Sequence, residues 1–165
     1  MFLLSETASS QAAPVDHDNV GFGTLRVLSL HRMTESEIKA HPDDYLDARI
    51  VLVLRYESPK DRSVYIYAPP KCPPEGYLIE RTDGKVVWFE SRVNGKEGSP
   101  GFLKLQREIG KGWIYLPPSS AIEWQTRTVD PAPGSENAWS VFVKGPHEAL
   151  PHEVPSDWFK TSDLK

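Results

Sequence analysis

Apolar and polar residues alternate with a period of two along much of the chain, which is the pattern of strands with one buried face. The clearest case runs from Ala121 to Val129, where Ile122 and Trp124 alternate with charged or amide side chains. From Ala138 to Lys144 the same alternation places Trp139 on one face and Phe142 on the other. We therefore predict two amphipathic strands there, with Trp124 pointing inward.

Further strands are predicted wherever short apolar runs rich in β-branched and aromatic residues end at proline or glycine. The run Ala48–Tyr56 is apolar enough for a strand buried on both faces, and we expect it to form an antiparallel hairpin with Val64–Tyr67. Asp83-Gly84 predicts a two-residue turn that joins a second hairpin. The remaining predicted strands cover 25–32, 77–82, 85–90, 102–105 and 113–116.

One short helix is predicted between residues 34 and 40. Thr34 and Glu37 have the spacing of a capping box, in which each side chain accepts a hydrogen bond from the backbone N–H of the other residue. Pro42 is expected to end the helix.

Turn residues separate these runs at the interval typical of sandwiches and barrels, and no internal repeat or alternation of helices with strands is present. The predicted fold is an all-β, immunoglobulin-like antiparallel β-sandwich of about seven to nine strands, with a closed barrel as the alternative. We divide the chain into a flexible N-terminal arm (1–20), the sandwich (21–145) and a Pro-rich C-terminal tail (146–165) packed on or near the domain.

Composition narrows the class of protein. The chain has 165 residues, a formal net charge of −4 and no basic run, so nucleic-acid binding is not expected. The apolar start is too short for a signal peptide or a membrane span, which favours a cytoplasmic or periplasmic protein. A single cysteine, Cys72, excludes an internal disulfide.

The most catalytic-looking string is His41-Pro42-Asp43-Asp44. It resembles the metal motif of zinc-dependent sugar deacetylases, in which the histidine and one aspartate bind zinc and the other aspartate is the base. In that family the motif follows a parallel strand, whereas here it follows a predicted helix. We interpret it instead as a helix end followed by an acidic turn, with a cryptic metal-dependent hydrolase as the remote alternative.

Other chemistry has less support in the sequence. His147 and His152 lie five residues apart in the tail, which matches no standard ligand spacing, so no metal or cofactor is predicted. Cys72 is flanked by prolines in what we expect to be a stiff, extended loop, and no pattern around it identifies an enzyme. No catalytic residue is therefore assigned, and we expect a protein that is not an enzyme.

The five tryptophans are read first as core residues. Trp88, Trp124 and Trp139 lie in predicted strands and are expected between the sheets. Trp113 and Trp158 lie near glycines, prolines and chain ends, where a binding surface is the alternative to packing.

The stretch Tyr77-Leu78-Ile79 through Asp83-Gly84-Lys85 to Val87-Trp88, followed by Leu116-Pro117 and Trp124, resembles the bacterial intracellular proteinase inhibitors of subtilisin. That family is immunoglobulin-like. The resemblance covers about residues 77–124 and implies a rigid β scaffold that presents loops to another protein, without transferring any inhibitory residue.

These observations together favour a noncatalytic protein-binding domain of the inhibitor or immunity-protein kind, whose partner is another protein. The alternative is a structural or accessory subunit whose arm and tail become ordered in a larger assembly. The candidate partner-binding loop is rich in proline, and a loop that is stiff beforehand loses less entropy on binding. It consists of Pro69, Pro70, Lys71, Cys72, Pro73, Pro74 and Glu75.

Overall fold

The computed structural model describes residues 21–40, 49–83, 85–88, 112–128, 130–160, 162 and 164. Within these ranges the chain forms strands and one short helix, α1 (Glu35–Ala40). The strands in chain order are β1 (Thr24–Arg32), β2 (Ile50–Glu57), β3 (Val64–Tyr67), β4 (Gly76–Thr82), β5 (Lys85–Trp88), β6 (Trp113–Leu116), β7 (Ala121–Thr128), β8 (Glu136–Lys144), β9 (His152–Pro155) and the two-residue β10 (Phe159–Lys160).

The described strands form two antiparallel sheets. The smaller sheet has the order β1-β2-β7. In the larger sheet, β3 and β4 both pair with one edge of β8, and β9 and β10 pair with its opposite edge; β6 pairs with β3, and β5 pairs with β4. The two antiparallel sheets confirm the predicted sandwich.

The hydrophobic core lies between the two sheets. The smaller sheet contributes side chains such as Leu52, Leu54 and Trp124, and the larger contributes Ile66 and Trp139. Trp124 and Trp139 therefore lie in the core, as the alternation along their strands predicts. Trp88 belongs to β5, but its side chain lies outside the described residues.

The predicted hairpin between 48–56 and 64–67 is wrong. Strand β2 pairs with β1 and β7 in the smaller sheet, whereas β3 lies in the larger sheet between β8 and β6. Both segments are apolar because each is an interior strand, and adjacency in sequence does not decide whether two strands share a sheet. The chain crosses from one sheet to the other between Glu57 and Val64.

Two local predictions are confirmed in detail. The backbone N–H of Thr34 donates to Oε2 of Glu37 at 2.8 Å, and the N–H of Glu37 donates to Oγ1 of Thr34 at 3.2 Å, so the capping box forms. Thr82 pairs with Lys85 across the predicted two-residue turn, where Asp83 has a φ of 54°. A positive φ at this position is what the favoured hairpin turns require.

The larger sheet extends further along the chain than predicted. Residues of the expected tail form β9 and β10, both paired with β8, and Val154 and Phe159 are buried in the core. The predicted arm 1–20, the string His41–Asp44 and the predicted strand 102–105 lie outside the described residues.

Candidate functional site

The candidate loop interrupts what is otherwise a single strand. Strand β3 pairs with β8 through Ile66 opposite Val143, and β4 pairs with the same edge of β8 starting at Gly76 opposite Val141. If the register of β3 is continued by one residue, Tyr67 lies opposite Phe142, the residue between Val141 and Val143. Strands β3 and β4 are thus two halves of one strand, and residues 68–75 form an eight-residue excursion from its middle.

The base of the excursion is closed by the backbone. The N–H of Glu75 donates to the carbonyl oxygen of Tyr67 at 3.1 Å, and the N–H of Ala68 donates to the carbonyl of Gly112 at 3.1 Å. Compact surface loops whose two ends meet in this way frequently carry function on rigid scaffolds. Partner binding through this loop would therefore require little reorganisation at its ends.

Two glycines make the closed base possible. A Cβ on Gly112 would overlap the carbonyl oxygen of Ala68, and a Cβ on Gly76 would overlap the carbonyl oxygen of Ser140. Each glycine thus permits a close approach of backbone to backbone that no other residue allows.

From the proline content we expected an extended loop. Inside the excursion the chain instead makes a tight turn. The N–H of Cys72 donates to the carbonyl of Pro69 at 3.0 Å, and Lys71 has a φ of 65°. Proline at the second turn position and a positive φ at the third are the pattern of a type II turn. Lysine pays a conformational cost there that glycine would avoid, so the turn is strained at its tip.

The seven predicted loop residues divide by exposure. Pro70, Lys71, Cys72, Pro73 and Glu75 are exposed, Pro69 is half-buried, and Pro74 is buried. The accessible part of the loop is therefore its tip, and Pro74 acts as an anchor that leaves no surface for a partner.

Beside the loop, the outer face of the larger sheet carries a cluster of aromatic side chains. Tyr67, Tyr77 and Phe142 are buried in this cluster, and Trp113 and Trp158 pack against it. The ring of Trp113 meets that of Tyr67 edge to face, with centroids 5.7 Å apart. Trp113 and Trp158 thus both pack, as expected, but on the outer face of the sheet rather than between the sheets.

Charged groups border this aromatic cluster. The guanidinium of Arg81 lies 4.2 Å from the ring centroid of Trp158 and forms an ion pair with Glu136. Glu153 follows on β9, opposite Phe142, and burial raises the pKa of its carboxyl to about 7. Its Oε1 is buried without a hydrogen-bond partner, which is why the charged form is disfavoured.

Among the described residues, those considered for chemistry are not brought together. His152 lies against Glu148, with 3.4 Å between Nε2 and Oε2, and its ring stacks on Phe22. Cys72 is exposed in the loop. Over the described ranges, no three His, Cys, Asp or Glu side chains are grouped as a metal site requires, and no helix there is long and apolar enough to cross a membrane.

Sequence reasoning missed three residues of this region, namely Tyr65, Tyr115 and Glu153. The two tyrosines had a readable signal, because they alternate with apolar residues in Val64-Tyr65-Ile66-Tyr67 and Trp113-Ile114-Tyr115-Leu116. Glu153 had none, since its strand was interpreted as a tail.

Comparison of the chain with protein-family models, curated proteins and solved structures gives no match.

Proposed function

We propose that this protein is a noncatalytic binding domain that engages another protein through the tip of the 68–75 excursion, as an inhibitor or immunity-type protein does. The observation that carries the proposal is the closed base of the loop, formed by the bonds from Glu75 to Tyr67 and from Ala68 to Gly112. A loop held in this way presents Lys71, Cys72 and Pro73 in one arrangement before any partner arrives, which lowers the entropy lost on binding.

The strand registers also support a dedicated role for the excursion. Because β3 and β4 continue each other along β8, the pairing with β8 needs none of the eight residues. An excursion whose tip takes no part in the sheet pairing is the kind of segment that carries function on a rigid framework.

The accessory-subunit alternative gains less from the structure. Its premise is that the arm and tail become ordered only in an assembly, but residues 152–155 and 159–160 already pair with β8 in the single chain. That part of the tail belongs to the domain itself, so the loop is the better candidate for partner recognition.

The experiment compares affinity capture from a lysate of the source cells by three forms of the protein, with mass spectrometry of the captured proteins. The first form is the full chain. The second is an excision variant in which Tyr67 is joined directly to Gly76, which keeps the register of both halves with β8. The third is the control K60S/D61S, which alters an exposed turn at the opposite end of β3.

We expect the full chain and the control to capture one partner in stoichiometric amount and the excision variant to lose it while keeping the β-sheet circular dichroism spectrum. The triple variant K71S/C72S/P73S, which leaves both base hydrogen bonds in place, should lose the partner as well. Equal capture by the excision variant and the full chain would contradict the proposal.

A further inference from the structure

A small exposed surface adjoins the loop on the outer face of the larger sheet. Tyr65 lies opposite Tyr115 between β3 and β6, and opposite Lys144 between β3 and β8. Trp113 is two residues from Tyr115 on the same strand and therefore on the same face. We call Tyr65, Trp113, Tyr115 and Lys144 the tyrosine patch.

Tyr115 is the exposed member of the patch, and Tyr65, Trp113 and Lys144 are half-buried. Tyr115 is 53% exposed, whereas Tyr67 and Phe142 are 2% and 4% exposed. The rings of Tyr65 and Tyr115 meet edge to face with centroids 5.4 Å apart, so each restricts the rotation of the other. Rigid, partly exposed tyrosine and tryptophan side chains are the residues that most often dominate the energy of protein interfaces.

The charge of the patch is opposite to that of the protein. Nζ of Lys144 lies 4.6 Å from the ring centroid of Trp113 and forms no ion pair within the described part of the chain. Lys71, at the loop tip, also forms no ion pair with a described residue. Among the other described cations, Arg32, Arg55 and Arg81 each pair with a carboxylate, whereas Lys60 does not. Within the described residues the patch thus carries a cation without a carboxylate partner, on a chain of net charge −4.

We infer that the tyrosine patch docks an acidic segment of the partner protein, with a carboxylate meeting Lys144 and an apolar side chain lying against the tyrosine pair. The inference rests on the proposed function and adds the chemistry of the partner. Complementary charge steers association and selects among partners. A nucleic acid fits less well, because the net negative charge of the protein repels a polyanion.

The test uses a phage-displayed library of random linear peptides selected on the immobilised full chain. We expect the enriched peptides to combine Asp or Glu with an aromatic or aliphatic residue. Their affinity, measured as synthetic peptides by fluorescence anisotropy, should fall about tenfold or more in K144E and in Y115S, and remain unchanged in the matched charge control K60E. Raised salt should weaken binding to the full chain.

The inference would be overturned by the absence of any enriched sequence, by enrichment of basic peptides, or by acidic peptides that bind K144E as tightly as the parent. Binding of a fluorescent oligothymidine that is lost in K144E, without acidic peptides, would also overturn it. The failure of the proposed function is separate. If the excision variant still captures the cellular partner while acidic peptides bind the patch, the loop proposal fails and the patch inference stands.

Discussion

At the scale of the residue, Glu153 is the side chain whose environment most affects its chemistry. Its carboxyl lies opposite Phe142 with one oxygen buried and unpartnered, and its pKa is raised from 4.5 to about 7. A carboxyl with a raised folded-state pKa binds more protons in the folded than in the unfolded chain between those two values. The contribution of Glu153 to the free energy of unfolding therefore falls as the pH rises from about 4.5 to about 7 and is level above that.

We expect E153Q to remove this pH dependence. The variant should be about as stable as the parent near pH 4.5 and more stable by roughly 2 kcal/mol at pH 8, because the neutral amide never ionises. Urea unfolding across this pH range measures the difference. E148Q is the matched control, and its effect on the pH dependence of stability should have the opposite sign. The N–H of Gly145 lowers the pKa of Glu148, so the charged form of that carboxyl is the favoured one. Parallel pH profiles for E153Q and the parent would refute the assignment.

The two glycines at the base of the loop provide a second test at this scale. We expect G112A and G76A each to lower the free energy of unfolding by about 2–3 kcal/mol, because the added Cβ overlaps a backbone carbonyl that cannot move away cheaply. G134A is the control. Its added Cβ would meet nothing within 4 Å, and its cost, about 1 kcal/mol, comes from the positive φ alone. Thermal or urea unfolding of the three variants measures these losses. Equal losses of unfolding free energy in all three would contradict the close-approach argument.

At the scale of the element, the start of α1 shows a predicted motif acting on a measurable group. The N–H of Thr34 and the ring of His31 both bond to the carboxylate of Glu37 and lower its pKa to about 2. The side chain of Thr34 in turn holds the N–H of Glu37. The helix has six residues and none is buried, so this cap is its main local support.

We expect T34A to cost about 1 kcal/mol of unfolding free energy, the usual effect of losing an N-cap hydroxyl. It should also raise the pKa of Glu37 toward its ordinary value, because the helix start frays and the backbone bond to the carboxylate weakens. Carboxyl-carbon NMR titration measures the pKa directly. S36A, an exposed position within the helix, should change neither quantity, and an unshifted Glu37 in T34A would argue against the reciprocal cap.

Much of the element level follows from the sequence alone. The bounds predicted for the strands near 25–32, 64–67, 77–82 and 113–116 agree with those observed to within one or two residues, since each run ends at a proline, a charged pair or a turn. Strand β9 was missed because Pro151 and Pro155 gave its segment the composition of a tail. A strand at the edge of a sheet tolerates proline, as β9 shows.

At the scale of the whole molecule, the C-terminal strands complete the sandwich. Val154 and Phe159 are 3% and 7% exposed and belong to the core formed by both sheets. The N–H of Trp139 donates to Oγ of Ser156 at 3.0 Å, and the N–H of Val27 donates to Oδ1 of Asp157 at 3.1 Å. The segment therefore connects β8 of one sheet with β1 of the other.

We expect F159A to destabilise the protein by about 3 kcal/mol, as truncation of a buried aromatic side chain does when the surroundings relax only partly. K160A, the adjacent exposed position, should change stability by less than about 1 kcal/mol. Both values come from urea unfolding followed by tryptophan fluorescence. If F159A were as stable as K160A, the tail would be an attachment to the domain and not a part of its core.

The sequence by itself determined the properties that depend on neighbouring residues. Alternation places Trp124 and Trp139 inward because side-chain direction in a strand has a period of two, and the capping box and the Asp83-Gly84 turn follow from bonds and dihedrals within a few residues. It also located the loop at 69–75. Only the tertiary structure decided which strands share a sheet, because pairing depends on contacts far apart in sequence. The same contacts separated β2 from β3, joined β3 and β4 into one interrupted strand, and buried the carboxyl of Glu153 beside Phe142.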